Sequence, residues 1–145
     1  MTRHPPWAAT RRRAADDLTK TGWADRRYAR WLWALSVVGV IVMIVGWNWF
    51  GLAHEEEMTE QPKAVSAGST MAGWGAVVGG VPLVAAHMVG LVLLAIVAVR
   101  GRVRRWTGFV YAVLAVALAS GVGIAVAQVL WAGELFMMGV DGARP

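Results

Sequence analysis

The chain has 145 residues, of which 57% are hydrophobic and only 16% charged, with a formal net charge of +5 at neutral pH. Soluble domains carry roughly a quarter charged residues, so a domain surrounded by water is excluded. The absence of cysteine further excludes disulfides, thiolate metal sites, iron–sulfur clusters and cysteine catalysis.

Residues 1–30 form a basic arm, "MTRHPPWAATRRRAADDLTKTGWADRRYAR". A short helix is expected around Ala14 to Lys20, ended by Gly22. The triplet Arg11, Arg12 and Arg13 suits an anionic lipid surface, where each basic residue contributes about 1 kcal/mol. It equally suits a topology signal or a docking arm. Nothing in it matches a nucleic-acid readout motif.

Residues 31–50 lack any ionisable side chain. Crossing about 30 Å of hydrocarbon takes about 20 helical residues, and this run has that length. It exceeds the roughly 7–15 apolar residues of a signal-peptide core, so an uncleaved first transmembrane helix is expected. Ser36, Gly39, Met43 and Gly46 recur on it at helical spacing.

Residues 51–75 are expected to form an external loop, acidic at "HEEEMTE" and then small, polar and glycine-rich. On a helical turn His54 and Glu57 would share a face, as would Glu56 and Glu60. A solvated acidic surface is the plain reading. One histidine beside flexible glutamates is a poor metal site, since metals need a fixed ligand set. Docking of a basic external protein is the other possibility.

The second span is expected over residues 76–99, with Pro82 tolerated near its start. His87 is its one ionisable residue. Such groups are costly in hydrocarbon and mark function or internal hydrogen bonding. A haem ligand would need a second axial residue, yet no other histidine lies in a span. A proton relay would need carboxylates, and no span contains Asp or Glu. A neutral hydrogen-bonding residue needs one acceptor only. Ala86 and Gly90 flank His87 as a small pair.

Residues 100–107 make a short basic link with Arg100, Arg102, Arg104 and Arg105, the last three suited to lipid headgroups or a partner. The third span follows over residues 108–131. Ala117, Gly121 and Ala125, spaced by four, predict a face for close helix approach, with Gln128 near its outer end. Contact of Gln128 with His87 would need tilt or a bridging water. Residues 132–145 form an external tail whose methionines and Phe136 suit a contact surface.

Seven of the nine tryptophans fall at predicted span ends, where indole rings prefer the headgroup level. Twelve of the fourteen basic residues lie in the arm and the 100–107 link. The positive-inside rule therefore puts the amino terminus in the cytoplasm and the carboxyl terminus outside. The fold class expected is an all-α integral membrane protein with three transmembrane helices. Arginine, alanine, glycine and valine dominate, amino acids of GC-rich codons, so a bacterial plasma membrane is expected.

No phosphate-binding loop, Ser–His–Asp set or HExxH motif is present. Three spans also lack an inverted-repeat partner. The expected function is a non-catalytic accessory or assembly subunit of a larger bacterial membrane complex, respiratory or envelope-related, without a cofactor. Its partners would be that integral complex and anionic lipid, not nucleic acid. The alternatives are a small oligomeric transporter or channel component using His87 and Gln128, and a haem-bearing membrane anchor.

Overall fold

The computed structural model describes residues 26–102, 104–133 and 135. Three helices are long and apolar enough to cross a membrane, and no strand occurs among the described residues. The chain is an all-α, multi-pass membrane protein. The basic arm up to residue 25, with its expected short helix, lies outside the described residues, as does the tail beyond residue 135.

Helix α1 runs from Arg26 to Ser66, 41 residues, about 60 Å at 1.5 Å per residue. This is twice the thickness it has to cross. The sequence reading ends the helix at Phe50, but the structure carries it on through the acidic segment to Ser66. The reason is local. Between Ala53 and Gln61 every residue but His54 and Thr59 is a good helix former, and Pro62 removes only the one donor that would meet the Met58 carbonyl. Termination comes at Gly68, whose φ of +74° is the left-handed conformation glycine adopts freely. Gly68 N–H donates to the Val65 carbonyl at 3.0 Å and Ser69 N–H to the Ala64 carbonyl at 2.8 Å, the bond pair of a Schellman cap.

The chain returns along this extension and re-enters a helix at Trp74. Ala76–Gly80 is π-helical and leads into α2, Val81–Gly101. Pro82 explains the widened turn. It has no N–H for the Val78 carbonyl, the acceptor four residues back. That carbonyl instead receives the Trp49 indole N–H of α1 at 2.9 Å. After the basic link, α3 spans Arg105–Leu130. It ends on a second Schellman-type cap, with Gly133 N–H to the Gln128 carbonyl at 2.7 Å and Ala132 in the left-handed region at φ +51°.

All three helices pack on one another. Met43, Leu83 and Ala119 form one buried cluster, backed by Val40, Trp47, Phe50 and Ala86. Leu94, Ala98 and Ala112 form a second, nearer the arginine-rich end. Small residues set the spacing, since helices in lipid associate by close packing and not by hydrophobic drive. The buried positions of α3 are Gly108, Ala112, Ala119, Gly123 and Ala127. A Cβ on Gly108 would lie 2.6 Å from the Ala98 carbonyl oxygen, and one on Gly123 would lie 2.8 Å from that of Met43. Only hydrogen fits at either place.

This face differs from the expected one. Ala117, Gly121 and Ala125 are exposed, and a Cβ on Gly121 would touch nothing within 4 Å. Gly121 and Gly123 are two residues apart, about 200° around the helix, so the two small-residue faces are nearly opposite. Gly123→Ala is accordingly expected to destabilise the bundle by about 1–3 kcal/mol, the cost of overpacking. Gly121→Ala should leave it unchanged. Thermal unfolding of the purified chain in detergent, followed by circular dichroism, separates the two; equal melting temperatures would contradict this packing.

Candidate functional site

His87 sits on α2 with its side chain half-buried among the three helices. Its Nδ1 lies 2.8 Å from the Leu83 carbonyl, one turn back on its own helix. A carbonyl only accepts, so Nδ1 carries the proton. Nε2 is then the acceptor, and it lies 2.8 Å from the Ser120 hydroxyl of α3. Ser120 donates to it and keeps its lone pairs for the Trp47 indole N–H of α1, at 3.1 Å. Donors and acceptors alternate without a gap from α1 through α3 to α2. The Trp47 ring also stands edge-on to His87, with centroids 6.5 Å apart, and to Phe50 at 5.7 Å.

Local packing brings these groups together. Gly46 lets Leu83 approach, its hypothetical Cβ lying 3.1 Å from Leu83 Cδ1. Ala86 packs into the same cluster, and Gly123 admits Trp47 and the Met43 backbone one turn beyond Ser120. Trp47, read from the sequence as an interface marker, is therefore an inward-facing hydrogen-bond donor. Trp131 is likewise half-buried, over Gly51. Trp31, Trp33, Trp49, Trp74 and Trp106 remain exposed at the ends of the spans.

Both His87 nitrogens are thus engaged by the chain itself. The arrangement orients one histidine with both its nitrogens occupied, and among the described residues no carboxylate is hydrogen-bonded to it. Gln128 makes no contact with His87; Ser120, two turns nearer the arginine end, takes that place. Gln128 Oε1 is buried without a hydrogen-bond partner among the described residues. Ser36 donates to the Leu32 carbonyl at 2.8 Å. Gly39 and Gly90 have open space where a Cβ would stand. Together with Ser36 they line an apolar cleft of about 130 Å³ instead of a tight contact. Ser120 was missed because it stands inside "ALASGVG", one residue from the small stripe that drew attention. As the only hydroxyl in the interior of the third span, it could have been singled out as the partner for His87.

A second polar cluster lies at the carboxyl-terminal end of α1. His54, Glu57 and Gln61 share a face of the extension, one turn apart. Glu57 accepts the Gly73 N–H at 2.9 Å and the Gly75 N–H at 2.7 Å. These donors open the second helix, and a carboxylate suits both the unpaired N–H groups and the positive end of the dipole. The Gly75 and Gly73 hydrogen bonds, with a smaller contribution from His54, hold the Glu57 pKa below the ordinary carboxylate value. Gln61 accepts the Met71 N–H at 2.7 Å and donates to Thr70 at 3.2 Å. A Cβ on Gly75 would fall 2.8 Å from His54 Nδ1 and 3.0 Å from Glu57 Oε2, so a larger residue there would displace both side chains. Among the described residues no three acidic or histidine side chains are grouped to hold a metal ion.

At the other end the Arg102 guanidinium lies 4.1 Å from the centre of the Tyr111 ring. Arg104 and Arg105 are exposed. Arg11, Arg12 and Arg13 lie outside the described residues. Comparison with models of known protein families, with curated proteins and with solved structures found no match.

Ser120→Ala removes the middle of the junction and should destabilise the chain in detergent by about 0.6–1.7 kcal/mol, the average-to-maximum span for interhelical hydrogen bonds within membrane proteins. In Ser120→Ala combined with His87→Ala the loss should fall short of the sum, because the two share one bond. Strict additivity would argue against the network. Glu57 has a depressed folded-state pKa, so its capping contribution is complete above the unfolded carboxylate value. It is lost as pH falls through the lower folded value. Amide exchange at Gly73 and Gly75, corrected for intrinsic rates, should accelerate over that acidic window and at neutral pH in Glu57→Gln.

Proposed function

We propose that this protein is a non-catalytic accessory or assembly subunit that packs beside a larger integral membrane complex, in a bacterial plasma membrane. In this reading the arginine-rich end lies in the cytoplasm against anionic lipid, and the α1 extension projects outside. A respiratory or envelope-building host suits these features. The observation that carries the reading is the division of α3 into two small-residue faces. One is filled by the chain's own helices. The other, Ala117, Gly121 and Ala125, stays uncovered and offers a partner helix the close approach that drives association in lipid.

The engagement of His87 favours this reading over a transport path or a haem anchor. Its nitrogens serve the union of α1, α2 and α3, and Gln128 is not its partner. Chemistry inside the bundle is spent on shape.

Native electrophoresis of gently solubilised membranes tests the proposal. The tagged chain of 15.6 kDa should migrate within an assembly several times its mass, and Gly121→Leu should release it without unfolding it. Migration of the native chain as a monomer or small homo-oligomer would overturn the accessory reading.

A further inference from the structure

The described surface holds an apolar groove between α1 and α3, with a volume of about 430 Å³, within the roughly 300–1,000 Å³ range of ligand clefts. Its α1 wall runs from Leu32 to Val40 and its α3 wall from Tyr111 to Val122. At 1.5 Å per residue these walls are about 12 Å and 17 Å long. Half of a hydrocarbon core of about 30 Å is about 15 Å, so the groove is one leaflet deep, on the side where the arginines lie.

Positive charge is gathered at its mouth. Arg26 stands seven residues before Trp33 and Arg30 seven before Val37, so both share the helical register of the α1 wall, Arg30 just before its start at Leu32 and Arg26 one turn further out. Both are exposed. Arg104 stands seven residues before Tyr111 at the start of α3. The first turn of α3 contains no acidic residue, and its N-terminus has no side-chain cap, leaving backbone donors that favour an anion. Tyr111 lines the groove and carries the Arg102 guanidinium on its ring, which puts a fixed cation at the same end. Trp33, three-quarters exposed, borders the groove at headgroup level.

We infer that this groove is a binding site for an anionic phospholipid, with one acyl chain between α1 and α3 and the phosphate among Arg26, Arg30 and Arg104. Apolar walls alone would accept any lipid. The ring of arginines and the uncapped helix start select a negative headgroup. The inference deepens the lipid contact proposed above and rests on the arginine end lying at a membrane surface. It does not depend on there being a host complex.

Native mass spectrometry of the purified, delipidated full chain in neutral detergent provides the test, with phosphatidylglycerol and phosphatidylcholine of identical chains as probes. One phosphatidylglycerol should be retained per protein, at least tenfold more tightly than phosphatidylcholine. Arg30→Gln with Arg104→Gln should reduce the preference to the phosphatidylcholine level. Leu118→Trp should fill the groove and weaken retention of both lipids, with Val37→Trp doing so from the other wall if the first variant aggregates. Val92→Trp, on the exposed side of α2 and away from the groove, should change nothing. Equal retention of the two lipids by the native chain would overturn the assignment. So would undiminished binding in the arginine variant or in the groove-filled chain. Disulfide-linked dimers of Leu118→Cys formed in native membranes would show a second copy in the groove and overturn it as well. Failure of these lipid measurements leaves the native-gel result for the accessory reading untouched, and the reverse also holds.

Discussion

In hydrocarbon a polar side chain has to find its partners within the protein, and at Ser120 the chain meets that demand for three helices at once. One hydroxyl donates to α2 and accepts from α1, while His87 donates its Nδ1–H to the Leu83 carbonyl. Rotating or sliding any helix would leave a donor or acceptor bare. The glycines and alanines around the junction follow from this. Helices must come close for such short side chains to meet, and a Cβ on Gly123 would fall 2.8 Å from the Met43 backbone of α1.

Past the membrane surface the constraint changes character. Water can satisfy a peptide group there, yet α1 still supplies side chains to the backbone of the returning segment. Trp49 answers the carbonyl that Pro82 cannot serve, Glu57 caps the donors at Gly73 and Gly75, and Gln61 holds Met71. The connection between α1 and α2 is thereby strapped to a helix and does not hang as a free loop. Its acidic residues divide accordingly. Glu57 is spent on structure, Glu60 pairs with Lys63 at 2.6 Å, and Glu55 and Glu56 face solvent.

The spans themselves were legible because hydrocarbon tolerates so little. Charge-free runs about 20 residues long, bounded by tryptophan, admit few other readings. The faces were harder. In α3 nearly every second residue from Ala115 to Ala127 is small, so stripes on opposite sides fit equally well over three turns. Only extension toward the helix start separates them, for one stripe reaches Ala112 and Gly108 while the other meets Val113 and Phe109. The length of α1 was hidden for a related reason. Hydropathy reports where a helix leaves lipid, not where it ends, and "HEEEMTEQPKAVS" is polar and helix-forming at once. Trp47 and Trp49 look alike in sequence, although one turns into the bundle and the other serves a carbonyl at its surface. The basic arm and the tail lie outside the described residues, and the expectations about them stand as sequence readings.

The uninterrupted passage of α1 from lipid into water has a mechanical meaning. A helix that crosses the surface without a hinge behaves as a lever, with its fulcrum among the packed residues near Met43 and Trp47. The segment from Gly51 to Ser66 adds an arm of about 24 Å. Measured from Trp47 the tip lies about 29 Å away, so tilting α1 by about 10° would carry it by about 5 Å. A slight change in how the spans are seated would become a larger displacement at the Ser66 end. Because the return segment is tied to α1 at Glu57 and Gln61, the motion would carry both strands of the hairpin together.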